Sequence, residues 1–289
     1  MSELYTTHMT RHSREAQRLE QQFNTITDNI GYLVHPSIRT LLPAAPRVID
    51  VGTGTGVFLF RLREAYPDGV FEGIDISGDM FPATGAGGDS EVGRDNTRNI
   101  EFSVRDMKLP FPDEMLGRYD LVHARLLVVA MQPHEWEPAV RNLATLLKPG
   151  GFLQWEECDF LHTAYLRSGA APTGCDVSHA LQDAFREGLM ERLAHGWSTL
   201  PSHMRASGLA PVMTDVVASD RLPDTRAQTT ANAMNLTFSF AQLMAQRGAP
   251  GAKTAEELED LEGKVRDEIQ AGFYLSYNVH IACGQKGPK

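Results

Sequence analysis

Cysteine is scarce in this chain: Cys158, Cys175 and Cys283 are scattered among 289 residues. Three thiols so far apart build no disulfide framework, and no two stand at the spacing of a zinc knuckle. Reduced thiols and no metal site are therefore expected. Long apolar runs are missing too. None approaches the ~18 residues that span a bilayer, and the opening MSELYTTHMTRHSREAQ has no apolar core of the kind a secretory leader needs. These absences predict a soluble cytoplasmic chain with no membrane partner. Basic charge is in deficit, with 27 Lys and Arg against 37 Asp and Glu and a formal charge of -10. The attraction that drives nucleic-acid binding is missing, and no basic run restores it locally. No internal repeat or low-complexity tract divides the chain.

What is present is enough apolar material, 42% of residues, for one sizeable core. Leu19, Phe23, Ile26, Ile30 and Leu33 recur at steps of four and three, which predicts an amphipathic helix ending near Gly31 to Pro36. Such a helix ahead of the core also suits a homodimer. From Arg47 onward β-rich runs alternate with helical ones. The strands are RVIDV, VFEGIDI, IEFSVRD, YDLVHAR and GFLQWEE, with helices at 56–65 and 137–147, the second stopped by KPGG. This alternation predicts an α/β fold, a doubly wound and mostly parallel sheet with right-handed crossovers. The stretch from Gly85 to Asn99 reads as a mobile loop. Beyond Cys158 the pattern predicts a helix at 176–195, a strand VMTDVVA, a helical insertion at 226–271 with a capping box from Thr254 to Glu257, and a last strand YLSYNVHIAC. One domain results, with a helical cap over 1–45, a ligand-binding core over 46–160 and substrate-side helices over 161–289 that include a lid at about 223–272.

The chemistry concentrates at strand ends. After Asp50 comes Gly52-Thr53-Gly54-Thr55-Gly56, a turn that lets a ligand approach bare backbone at the carboxyl edge of the sheet. The spacing is neither that of dinucleotide enzymes nor that of phosphate loops, and no lysine follows it. Asp50 at that mouth repels a pyrophosphate but attracts a sulfonium or ammonium group. Asp75, ending the second strand, is placed to accept both hydroxyls of a ribose, and Asp106, after the third, to accept from an adenine amine beside the Met107 backbone. Three acids at three successive strand ends fit one adenosine with a cationic tail, S-adenosylmethionine.

With VIDVGTGTG, GIDIS, VRDMKLPF, YDLVHAR and LLKPGGFLQWEECD in that order over residues 47–159, the chain resembles the class I S-adenosylmethionine-dependent methyltransferases. LEQQFNTITDNIGYLVHPSI and YNVHIACGQK look like the fungal natural-product branch, whose members methylate O, N or S atoms of secondary metabolites. The resemblance implies a seven-stranded Rossmann-like sheet. It also implies that Asp50 and Gly52, Thr53, Gly54 and Gly56 hold the methionine part, Asp75 the ribose, Ile76 and Met107 the adenine faces, and Asp106 its amine. His123 to Arg125 would border the sulfonium. The base-methylating motif Asn-Pro-Pro-Tyr is absent where HARL stands, so a nucleic-acid base is not the expected acceptor.

Duller roles stand beside these. Asp106 suits a cap, His123 a satisfied core residue, and Arg125 a structural pair with Glu156 or Glu157. Strand alternation sends those two glutamates to opposite faces, so only one is expected to reach the pocket. Leu236, Phe240 and Leu243 suit core, and Met234, Phe238, Ser239 and Met244 a lid. The function expected is in-line methyl transfer to a small-molecule acceptor in a dry pocket, with His123 and Glu156 as candidate catalytic bases. The alternatives are a pericyclase that uses the bound cofactor without consuming it and a non-catalytic regulator.

Overall fold

The computed structural model describes residues 13–82, 99–169 and 174–288. The stretch read as a mobile loop, Gly85 to Asn99, lies outside them except for Asn99. Seven strands form one sheet in the order β3-β2-β1-β4-β5-β7-β6: β1 Arg47–Val51, β2 Val70–Asp75, β3 Ile100–Val104, β4 Tyr119–Arg125, β5 Leu147–Arg167, β6 Leu209–Ala218 and β7 Phe273–Lys286. Only β7 runs against its neighbours. The central strands are apolar on both faces, as strands covered on both sides must be: Val48, Ile49, Leu121, Val122 and Leu153 are all fully buried. The order reverses between β1 and β4, which leaves a crevice beyond their carboxyl ends, the place where open α/β sheets take ligands.

The helices are α1 Ser13–Ile30, α2 Pro36–Arg39, α3 Val57–Ala65, α4 Trp136–Leu146, α5 Asp176–Leu193, α6 Leu200–Ala206, α7 Arg226–Gln246 and α8 Ala255–Gln270. The stripe that predicts α1 buries Phe23, Ile26 and Ile30, and the helix packs on α3, α7 and β6. Gly31, at φ 88°, ends it, because a glycine in the left-handed region closes a helix at no steric cost. Leu33 therefore lies beyond the helix on which the spacing placed it. Thr254 and Glu257 form the expected capping box at the start of α8.

Two features differ from the expectation. β5 does not stop at Glu157 but continues to Arg167, because residues 164–167 pair with the first residues of β7, Phe273 to Ser276, past an irregularity after Asp159. The short α6 was not expected; seven residues are too few to show a helical period. All three cysteines are buried and unpaired. Among the described residues no helix is long and apolar enough to cross a membrane, and no group of three acidic, histidine or cysteine residues is arranged to hold a metal.

Candidate functional site

Two lobes open in the crevice and meet at Gly52 and Leu127, the two residues that line both. The first, about 120 Å³, is walled by Arg18, Leu19, Gln22 and Phe23 of α1, by Asp50 and Thr53 to Thr55, by His123 to Val129 apart from Ala124, and by Phe160 and Leu236. The second, about 80 Å³, is lined by Asp75, Ile76, Asp106, Met107, Lys108 and Met131 among others. A larger hollow of 240 Å³ lies around Arg47, Glu72, Glu101 and Arg118. Its Arg47 and Glu72 are ion-paired, and Tyr119 donates to Glu72. Strand alternation points Glu72 and Glu101 to the face opposite Asp50, so size alone does not make this hollow the site.

The glycine turn is built for close approach. Gly52, Gly54 and Gly56 all have left-handed φ, at 70°, 52° and 74°. A Cβ on Gly52 would stand 2.7 Å from Leu127 Cδ2, whereas one on Gly54 would find nothing nearer than Leu19 Cδ1 at 3.8 Å. Gly56 lines neither lobe; a Cβ there would strike the Phe102 ring at 2.6 Å, so its bareness lets α3 start against β3. Asp75 ties the turn to the next strand, accepting from the Gly54 amide at 3.0 Å and from the Ser77 amide at 3.3 Å. Asp106 accepts from the Lys108 amide at 2.9 Å, so the capping role takes the form of a local turn rather than a helix start.

Behind the first lobe runs a buried chain of charge. Asp50 accepts from Thr53 Oγ1 at 2.7 Å and from His123 Nδ1 at 2.7 Å. The imidazole lies flat on Phe58, with centroids 3.6 Å apart and planes 5° from parallel. Its Nε2 stands 3.7 Å from Glu156 Oε1, an ion pair too long to be a hydrogen bond. Burial opposes charge on His123, but the two carboxylates outweigh it and raise its pKa. Burial likewise opposes ionisation of Glu156, and the Arg125 guanidinium, 2.5 Å away at Nε, with His123 beyond it, reverses that and lowers the pKa to about 2. Arg125 also donates to Thr27 Oγ1 at 2.9 Å and lies over the Phe23 ring, 4.4 Å from its centroid. It fastens α1 to the end of β4.

Glu156, a candidate base from the sequence, lines neither lobe; it is fully buried and committed to Arg125 and His123. Glu157 points the other way, as alternation requires, yet does not reach the pocket either. It accepts from the backbone amides of Leu127 at 2.8 Å and Val128 at 3.2 Å and from Trp155 Nε1 at 2.8 Å. The lid residues are also redistributed. Leu236, assigned to core, lines the first lobe, whereas Met234 and Phe238, assigned to the lid, are buried in the core. The sequence reading missed Arg18, Gln22, Leu127 and the Glu157 clamp. The only available signal for the first two was their place one turn apart, each directly before a residue of the apolar stripe, Leu19 and Phe23.

The two-lobed crevice suits S-adenosylmethionine. It has bare backbone at the neck, an acid beside it, and a second lobe with apolar Ile76 and Met107 flanked by Asp75 and Asp106. In sequence the chain is similar to methyltransferases. Residues 48–151 match the methyltransferase domain family. The chain is 29% identical over 257 residues to methyltransferase grgD of a Penicillium species, covering 83% of this chain and 82% of that protein. It is 32% identical over 149 residues to methyltransferase psoC of Aspergillus fumigatus, a match spanning half of each chain. Against N-methyltransferase tcpN of Claviceps purpurea it is 24% identical over 286 residues, covering 92% of this chain and 94% of that protein.

Proposed function

Because the chain belongs to the class I S-adenosylmethionine-dependent methyltransferases, we propose that it methylates an O, N or S atom of a small secondary metabolite. The observation that carries this reading is the pair of lobes sharing Gly52 and Leu127, which offers one ligand two differently furnished ends and leaves an apolar wall for a second. When bound, S-adenosylmethionine supplies an electrophilic methyl group on a sulfonium. Asp75, Ile76, Asp106 and Met107 hold the nucleoside end in the second lobe, and Gly52, Thr53 and Gly54 present backbone to the amino-acid end. Leu19, Phe23, Phe160 and Leu236 exclude water and receive the acceptor.

His123 acts by orientation. Its two nitrogens face Asp50 and Glu156, so its proton is held between two carboxylates and the residue is a poor base. Glu156 is charged but buried away from the lobes. The favoured acceptors are nucleophiles that need no strong base, such as a thiolate, an amine or an acidic phenol, for which positioning beside the methyl group supplies most of the acceleration. The protein works as a single domain in the cytoplasm, binds no nucleic acid, and uses α1 as a wall of the acceptor lobe, a surface that a homodimer could share.

The test is incubation of the purified protein with methyl-labelled S-adenosylmethionine and a panel of thiols, amines, phenols and fungal extracts, followed by mass spectrometry. Label in a small molecule with an equal amount of S-adenosylhomocysteine supports the reading. A product that lacks label and leaves the cofactor intact overturns it in favour of a non-consuming reaction.

A further inference from the structure

Leu126, immediately after β4, is one of two described non-glycine residues with positive φ, at 57°. A branched-chain residue in that region is strained and persists only when its surroundings over-determine it. Here the surroundings are specific. Leu126 N donates to the Glu156 carbonyl at 2.9 Å, and the next two amides, of Leu127 and Val128, both donate to the Glu157 carboxylate. Glu157 is fully buried, and Trp155 Nε1 donates to the same oxygen that takes the Leu127 amide. The segment held in this way is the partition of the site: Leu127 lines both lobes, and its Cδ2 lies 2.7 Å from where a Cβ on Gly52 would stand.

Resting on the methyltransferase reading, we infer that Glu157 is a positioning residue that sets cofactor affinity through Leu127, by clamping the two amides that aim this side chain at Gly52. The ionised carboxylate has lone pairs for all three N–H donors, whereas the protonated acid loses part of that capacity. Burial, the strongest influence, pushes the pKa of Glu157 up to about 7 against the pull of those donors. The clamp therefore tightens as pH rises through that value, and with it the grip on any ligand that crosses the neck. The ionisable groups that interact with Glu157 are Glu156 and Cys158 on its own strand, His280 stands opposite it on β7, and its side chain packs close to the turn at Gly196 and the Trp136 ring.

The experiment is calorimetric titration of S-adenosylhomocysteine into the full chain, between about pH 6 and pH 8, for wild type, Glu157→Gln, Leu127→Ala, the double variant and Trp155→Phe. The expected result is binding that strengthens with pH in wild type, and about 10-fold weaker, pH-independent binding in Glu157→Gln. Leu127→Ala reproduces the loss, and adding Glu157→Gln to it costs nothing further, because the clamp then has no wedge to aim. Trp155→Phe keeps both amide bonds but removes a donor that favours the ionised carboxylate, so its gain in affinity moves to higher pH while the affinity reached there matches wild type. Glu157→Gln with wild-type affinity and slope overturns the inference, and so does full additivity in the double variant, which signals general loosening. Should Glu157→Gln not fold, wild-type affinity for Leu127→Ala is enough to overturn it. If wild type itself shows no binding, the methyltransferase reading fails first, so the two failures are told apart.

Discussion

His123 Nδ1 stands 2.7 Å from Asp50 Oδ1, with its ring stacked on Phe58 and its other nitrogen turned toward Glu156. The histidine thus joins the glycine turn to the end of β4 as one buried electrostatic unit. Its raised folded-state pKa fixes a sign. The stabilisation is fully present below the unfolded value of about 6.5 and is lost as pH rises through the higher folded value. Urea denaturation of wild type and His123→Gln across that range will show a stability difference that is largest on the acid side and shrinks with rising pH. Curves that stay parallel would contradict a charged, paired histidine.

Arg125 and Glu156 set the opposite dependence. The Glu156 pKa, lowered to about 2, contributes stability that is complete above its ordinary value near 4.5 and disappears as pH falls through the folded value. Arg125→Ala leaves a buried carboxylate without its main partner and is expected to cost about 3–5 kcal/mol, measured by denaturant unfolding. Because Arg125 also holds Thr27 and lies over Phe23, the same variant will make α1 more sensitive to protease.

Two neighbouring glycines separate strain from collision. Gly52→Ala and Gly54→Ala both impose a left-handed φ on alanine, at about 1–2 kcal/mol each. Only the first also drives a Cβ into Leu127 at the neck between the lobes. Thermal unfolding should therefore rank the two variants close together or Gly52→Ala lower, while S-adenosylhomocysteine binding, measured by calorimetry, is weakened in Gly54→Ala, whose Cβ stands in the lobe itself, and lost in Gly52→Ala, whose Cβ deforms the neck.

Asp75 lines the second lobe and anchors the glycine turn through the Gly54 amide. Asp75→Ala is expected to weaken S-adenosylhomocysteine binding by about 10-fold or more, the loss of a charged hydrogen-bonding group in a partly enclosed site. Unchanged affinity in equilibrium dialysis would remove Asp75 from the site.

These residues also show what a sequence can reveal. The bare turn after Asp50 and the acids at Asp75 and Asp106 were legible because strand ends, glycines and carboxylates are local signals that a parallel sheet brings to one edge. The strands from Arg47 to Glu157 were legible for the same reason, through their apolar runs and turn residues. Glu157 was not, because a carboxylate that accepts backbone amides leaves no mark on the amino acids whose amides it holds. Gly56 was misassigned because clearance for Phe102 and closeness to a ligand require the same residue. Leu236 and Met234 exchanged roles because helical spacing identifies a buried face without saying whether that face meets core or cavity.

The most direct measurement is a crystal structure of the full chain with S-adenosylhomocysteine. The account predicts one ligand crossing the neck between Gly52 and Leu127, its ribose hydroxyls on the Asp75 carboxylate, its adenine between Ile76 and Met107, and its sulfur facing the lobe walled by Phe23 and Leu236. A ligand seated in the polar hollow around Arg47 and Glu72, or a ribose turned away from Asp75, would contradict it.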